Sequence, residues 1–288
     1  MEACHAWLRP RTLVAVGWLA VDETPEGLRP GGVAARAAVR AATAGHRAGV
    51  IGRVGQDADG QALLGMLRDA GVDTAAVQQD PDLGTAVRRV RADGSADTRI
   101  DALPAAPDML QWDFDMEDAA RRADVVVFSV ESWRSGQARS EERRLLDEAA
   151  AAVRAADLVH RTPSGRCDDP VRDHLRWAME AAAIAVIDPA VLSSLVHAPA
   201  DALRDPAGRW AAAIRCARSV DALLLVPADA ADGVTDTRWW LADPKDASDT
   251  SPRCIAAADS DPTDLLVDAA LAMVIDPTAE AVGSMTMA

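Results

Sequence analysis

Near the amino terminus, a few residues have the types and spacing of a small-molecule site. Asp22 follows the apolar run 12–21, and Gly31 and Gly32 stand directly before an alanine-rich segment. A carboxylate at the carboxyl edge of a strand can accept hydrogen bonds from two hydroxyls of a polyol, and glycines before a helix let a ligand approach free backbone N–H groups. Taken alone, the same residues could also do no more than start a helix after a strand.

Acidic residues cluster near the carboxyl terminus, at Asp259, Asp261 and Asp264, before an apolar helical segment. Carboxylates bind hard cations such as magnesium, but acids at a helix start also cap the helix and favour its dipole. The sequence leaves both interpretations open. The five histidines show no H-x-x-x-H spacing and the chain has no G-x-S-x-G motif, so neither a zinc site nor a serine nucleophile is indicated.

Strands and helices must alternate to position these residues. A buried strand is predicted for each apolar, β-branched run, and amphipathic helical segments stand between them. The predicted strands include 12–21, 124–130, 184–187 and 222–226, and the helices include 33–45, 140–156 and 264–274. Residues 85–100 predict a hairpin that turns at Asp93 and Gly94. The alternation predicts an α/β fold with a doubly wound, mostly parallel sheet flanked by helices.

The charge of the chain limits its partners. Its 288 residues carry a net charge of -15, with a pI near 4.7, which argues against nucleic acid and anionic membranes as partners. The four cysteines are scattered and form no C-x-x-C pair, which indicates free thiols in a reducing cytoplasm. No apolar window is long enough to predict a membrane span. Small molecules or proteins therefore remain as the expected partners.

The stretch 22–74 resembles the amino-terminal part of the ribokinase-like (PfkB) carbohydrate kinase family. That family opens with a strand ending in a substrate-binding aspartate, then Gly-Gly before a helix, then G-x-V-G-x-D-x-x-G; here these are Asp22, Gly31-Gly32 and GRVGQDADG at 52–60. The resemblance implies a single ribokinase-like domain over 1–288, with a small β lid contributed by about 22–31 and 85–101. It also makes a homodimer through the lid an expectation.

The substrate side departs from the family at one position. Arg36 stands where the family has an asparagine that binds substrate hydroxyls. A guanidinium only donates hydrogen bonds, so this change favours a ligand with a carboxylate or phosphate, unless Arg36 turns outward on a surface helix. Arg166, in TPSGRCDD, aligns with the arginine of the family's D-P-N-x-R element, which would place it near the reacting phosphate.

The nucleotide side departs more. The family's N-x-x-E element should follow the strand 184–187, where the chain reads PAVLSSL, and its T-x-G-x-x-G loop is replaced by PADAADG, in which Asp229 and Gly233 occupy nucleotide-binding positions. The family's D-T-x-G-A-G-D anion hole becomes ADSDPTD. Asp264 stands in the position of the catalytic base. Losing one oxyanion donor typically costs about 2.7–4 kcal/mol.

These replacements lead to three functional hypotheses. The first is a PfkB-like protein that is deficient in ATP-dependent phosphoryl transfer and binds a small, anionic, sugar- or nucleoside-like ligand or a protein partner. The second is an active carbohydrate or nucleoside kinase in which Asp264 is the base. The third is an enzyme of other chemistry on the same scaffold. ATP and Mg²⁺ are expected only if kinase activity is retained.

Overall fold

The computed structural model forms two compact units, Met1–Ala152 and Val153–Ala288. The residues that it describes are 10–91, 96–99, 104–131, 135–159, 169–197, 200–228, 239–245, 253–255 and 261–275. Within these residues, no helix is both long and apolar enough to cross a membrane.

The main sheet of the first unit is built from parallel strands. Its order is β9 (Val125–Ser129), β1 (Thr12–Val16), β4 (Arg47–Gly55) and β5 (Val72–Asp73), and β6 (Val77–Asp80) also pairs with β4. β1 and β9 are almost wholly buried, which is why they are continuous apolar runs in the sequence. The helices of this unit are α1 (Val33–Thr43), α2 (Ala58–Asp69), α3 (Phe114–Arg122) and α4 (Gly136–Glu148).

A second, smaller sheet lies in the same unit. Its order is β3 (Gly27–Gly31), β2 (Ala20–Thr24), β7 (Ala86–Val90) and β8 (Ala96–Arg99). β2 and β7 are parallel, and the other two pairs are antiparallel. The pairing of β7 with β8 confirms the predicted hairpin strands, whereas the turn at Asp93 and Gly94 lies outside the described residues.

The prediction of one strand over 12–21 was wrong. β1 ends at Val16, Gly17 has a φ of 150°, and the chain enters β2 in the other sheet at Ala20. A glycine reaches this φ at little cost. The apolar pattern cannot reveal the break because residues on both sides of it are buried. Asp22 therefore lies inside β2 and not at the carboxyl edge of a main-sheet strand.

The described part of the second unit contains five strands. β10 (Val153–Leu158), β11 (Ile184–Ile187) and β12 (Leu223–Pro227) are parallel, and β13 (Trp239–Ala242) and β14 (Arg253–Ile255) continue the sheet antiparallel. The helices are α5 (Asp169–Ala181), α6 (Pro189–Val196), α7 (Pro206–Val220) and α8 (Pro262–Ile275). α8 packs on β10 and β11, and α7 packs on β12 and β13. The predicted α/β class, with a mostly parallel sheet flanked by helices, is confirmed.

The predicted helix over 140–156 was wrong at both ends. α4 begins at Gly136, because Ser135 accepts a hydrogen bond from the Ala138 N–H as the N-cap, and it ends at Glu148. Residues 153–158 form strand β10 instead, so the short strand that the sequence also predicts near Leu158 is confirmed and begins earlier in the chain. Alanine favours a helix in isolation, but here pairing with β11 and burial of Ala155, Ala156 and Leu158 decide the conformation.

Candidate functional site

Asp22 makes a buried ion pair in the second sheet of the first unit. Its side chain is fully buried, and Arg88 donates from Nε to Oδ1 at 2.7 Å and from Nη2 to Oδ2 at 2.6 Å. The more exposed Arg29 lies 3.6 Å from the same carboxylate. Both arginines are cross-strand neighbours of Asp22 in the sheet register. The predicted substrate acid is therefore held between two cations, and sequence reasoning missed Arg88.

Gly31 and Gly32 bring the backbone close to other atoms of the first unit. A Cβ on Gly31 would overlap the Asp22 carboxylate, and a Cβ on Gly32, where φ is 84°, would overlap the Trp18 carbonyl oxygen. The first N–H of α1, that of Val33, donates to Glu131 Oε2 at 3.0 Å. The glycine pair is therefore required by packing, and a carboxylate that sequence reasoning missed caps the helix start.

Arg36 lies in the first turn of α1, near the glycine pair. It is half-buried, and its Nε donates to the Gly32 carbonyl at 3.4 Å. The side chain therefore folds back toward the start of its helix. This position brings a cation to the helix end at which the glycine pair was predicted to receive a ligand.

The G-x-V-G-x-D-x-x-G motif forms a network of hydrogen bonds around Asp57. The Asp57 carboxylate accepts from the N–H of Gly60, the N–H of Thr85 and the hydroxyl of Thr85, each at 2.7 Å. The Thr85 hydroxyl also accepts from the Gly55 N–H at 2.8 Å. A Cβ on Gly60 would overlap the Gly55 carbonyl. This motif therefore fixes the turn from β4 into α2. Its presence in the sequence indicates the fold and does not by itself indicate a catalytic activity.

Hydrogen bonding sets the protonation of Asp57. Burial raises its pKa, but the bonds from Thr85 and Gly60 together outweigh burial and hold the pKa below its ordinary value. A carboxyl with a lowered folded-state pKa contributes stability above its unfolded pKa, and that stability is lost as the pH falls through the folded pKa. The contribution is therefore present at neutral pH and lost below about pH 4.

We expect Asp57→Asn to destabilise the protein by about 1–3 kcal/mol at pH 6, because an amide has one acceptor oxygen and cannot satisfy all three donors. The difference from wild type should shrink as the pH falls toward 2, when wild-type Asp57 is protonated. Urea unfolding at several pH values measures both effects. Asp69 is an exposed acid on the same helix, so Asp69→Asn is the control and should have little effect on stability. If the stability difference between Asp57→Asn and the wild type did not change with pH, the role of the Asp57 charge would be contradicted.

The start of α8 carries the predicted base position, in the second unit. Asp261 caps this helix: its carbonyl accepts from the Leu265 N–H at 3.2 Å, and its Oδ1 accepts from the Thr263 N–H at 2.8 Å. Pro262 follows and has no N–H. Asp264 lies in the first turn of the helix and is half-buried. The N–H groups of this helix start are thus capped by a carboxylate of the chain itself.

Thr263, at the position where the resemblance predicts a glycine, is fully buried. Its hydroxyl donates to Asp157 Oδ2 at 2.8 Å. Asp157 belongs to β10, is itself buried, and accepts from the Val159 N–H at 3.1 Å. The Thr263 side chain therefore ties α8 to the sheet in the place where a glycine would leave the backbone accessible.

The strand ends that should carry the nucleotide elements are also engaged. Asp188, after β11, caps α6 by accepting from the Val191 N–H at 2.7 Å. At the end of β12, the carbonyls of Pro227 and Ala228 accept from the buried guanidinium of Arg209. Both strand ends are therefore held by internal hydrogen bonds.

Some predicted site residues cannot be placed. Arg166, Asp229, Gly233 and Asp259 lie outside the described residues. Within the described part of the chain, no three side chains of His, Cys, Asp or Glu come together in a group that could hold a metal ion.

Comparisons with known proteins show similarity to carbohydrate kinases. The model of the pfkB family carbohydrate kinases matches residues 23–200. A protein named probable fructokinase-3, from Arabidopsis thaliana, is 30% identical over 140 residues, which are 48% of this chain and 41% of that protein. The match thus spans less than half the length of that relative.

Solved structures share the fold at low sequence identity. The fructokinase of Halothermothrix orenii aligns with a TM-score of 0.70 and 17% identity, over 96% of this chain and 97% of that one. The fructokinase of Xylella fastidiosa gives a TM-score of 0.71 and 19% identity, over 96% and 89%. An uncharacterized sugar kinase of Pyrococcus horikoshii gives a TM-score of 0.71 and 15% identity, over 95% and 89%.

Proposed function

Because the chain belongs to the pfkB family of carbohydrate kinases, we propose that it binds a small ligand in its first unit and does not transfer phosphate from ATP. The start of α8 carries this proposal, because the Asp261 carboxylate accepts the Thr263 N–H and Pro262 has no N–H to offer. Phosphoryl transfer depends on positioning and on stabilising negative charge. A helix start that presents a carboxylate in place of amide donors does not fit a phosphate group.

Two further contacts of the second unit support the loss of transfer. The Thr263 side chain is bonded to Asp157, so it fills the position of the family's last anion-hole glycine. Arg209 holds the carbonyls at the end of β12, where the family's nucleotide loop should begin. Asp264 then acts as an acid that favours the helix dipole and no longer as a base.

The charges of the first unit support an anionic ligand. Arg88 occupies both oxygens of Asp22, so a neutral sugar hydroxyl would have to share an acceptor that is already engaged. Arg29 and Arg36 add two cations, of which Arg29 is more than half exposed, against the single Glu131 carboxylate at the start of α1. The ligand that fits best is sugar- or nucleoside-like and carries a carboxylate or a phosphate.

Calorimetric titration tests both parts of this proposal on the full chain. ATP, with and without Mg²⁺, should give no saturable heat, and incubation with ATP and fructose should form no phosphorylated sugar. Fructose 6-phosphate or gluconate should bind at least tenfold more tightly than fructose. Arg36→Asn, which restores the family residue, should remove most of that difference, whereas Arg40→Asn, on the same helix, should not.

The active-kinase hypothesis predicts the opposite. Phosphorylation of any sugar or nucleoside that depends on ATP and is abolished by Asp264→Asn would overturn the proposed deficiency. Tighter binding of fructose than of the two anions would overturn the assignment of the ligand class, whatever the outcome with ATP.

A further inference from the structure

Helices α5, α6 and α7 of the second unit enclose a groove that belongs to neither the substrate-side nor the nucleotide-side residues. Its volume is about 440 Å³, which is within the range of small-ligand sites. Met179 and Cys216 are buried beneath its floor, and its accessible apolar lining is formed by the half-buried Leu195, Val196 and Val220. The groove can therefore take the apolar body of a small molecule.

Two arginines give the groove a local positive charge. Arg176 on α5 and Arg215 on α7 both line it and are exposed. Among the residues that the structure describes, neither makes an ion pair or a side-chain hydrogen bond. Glu180 is the one acid in the lining, so the lining has a net charge of +1 on a chain whose net charge is -15. A carboxylate complements this charge. A polyanion would be repelled by Glu180 and would place part of its charge against apolar side chains.

We propose that this groove binds a medium-chain carboxylate, with its alkyl chain against Leu195, Val196 and Val220 and its carboxylate bonded to Arg176 and Arg215. The volume favours a ligand of this size over a protein helix, which needs a longer groove. Contact of part of the alkyl chain with these side chains adds to the affinity, and the two guanidinium groups select the charge.

Octanoate is a suitable probe, with 1-octanol as its neutral counterpart of equal chain length. In calorimetric titration of the full chain, octanoate should bind saturably and at least tenfold more tightly than octanol. The double variant Arg176→Ala/Arg215→Ala should lose at least tenfold in octanoate affinity. Both positions are exposed on helices, where alanine is well tolerated. Glu180→Gln should raise the affinity severalfold.

Arg218→Ala is the matched control, because Arg218 is exposed on α7 and does not line the groove. Its affinity for octanoate should equal that of the wild type. The absence of saturable octanoate binding would overturn the proposal, as would equal binding of octanol or an unchanged affinity in the double variant. None of these outcomes depends on ATP or on sugar binding, so this experiment tests the groove independently of the proposed function.

Discussion

Arg209→Met should lower the free energy of unfolding by about 3–5 kcal/mol. The Arg209 side chain is 1% exposed, although arginine is rarely buried. Its Nε donates to the Leu203 carbonyl at 2.9 Å, and its Nη2 donates to the Arg204 carbonyl at 3.2 Å. Its Nη1 donates to the carbonyls of Pro227 and Ala228. The guanidinium also lies 5.8 Å from the ring centre of Trp240, within reach of a cation–π interaction.

An apolar residue at position 209 cannot compensate for the lost hydrogen bonds of Arg209. A buried pair of charged side chains can often be replaced by apolar residues without destabilisation, because both partners are removed together. Here the acceptors are backbone carbonyls, which no substitution removes. Methionine fills a similar space and leaves these carbonyls without their donor, each at a cost of about 1–3 kcal/mol where the group stays buried.

Urea unfolding of the full chain measures the effect. Arg218→Met changes an exposed arginine of the same helix and should alter stability by less than about 0.5 kcal/mol. Arg209→Lys should fall between the two, because an ammonium has fewer donors and no planar fork. A loss below about 1 kcal/mol in Arg209→Met would mean that water reaches these carbonyls in the variant.

The sequence predicts elements well where local pattern and tertiary context agree. Strand β11 was predicted with its observed bounds, because the four residues Ile184–Ile187 are apolar on both faces and are all buried. The two wrong elements are places where context overrides pattern. The break at Gly17 depends on the change of sheet, and β10 depends on pairing with a strand that lies more than twenty residues further along the chain.

The sequence predicted several residues of the candidate site but not the residues that they contact. The ion pair of Asp22 with Arg88 joins residues 66 positions apart, and its register cannot be derived from sequence. Glu131 was missed for the same reason, because it reaches α1 from the chain after β9. The glycine motif around Asp57 was the main basis for the resemblance to the family, but its hydrogen bonds stabilise a turn and do not form a ligand site.

The sequence contains one signal for the cap at the start of α8. Asp-Pro opens α6 at Asp188, α7 at Asp205 and α8 at Asp261, and in each case the aspartate accepts an N–H of the first turn. Aspartate at the N-cap and proline at the first helical position are a common way to start a helix. The start of α8, where we propose that the anion hole is lost, thus has the same cap that this chain uses at two other helices.

Restoring the family's residues with Asp261→Gly, Pro262→Ala and Thr263→Gly should raise the affinity for ATP with Mg²⁺ by at least tenfold over the wild type. The triple variant removes one carboxylate from the helix start, frees the N–H at position 263 and adds an N–H at position 262. Each charge-assisted hydrogen bond contributes about 1.5–3 kcal/mol. Loss of the bond from Thr263 to Asp157 should lower stability, so titrations are made well below the unfolding temperature.

The variant Asp205→Gly/Pro206→Ala is the matched control for this gain. It makes the same cap exchange and the same change in net charge at α7, where Asp205 accepts from the Gly208 N–H at 2.9 Å. It should lose about 1 kcal/mol of stability and gain no affinity for ATP. Equal gains in both variants would mean that lower negative charge alone attracts the nucleotide. No gain in the triple variant would mean that Asp261, Pro262 and Thr263 are not what excludes phosphate.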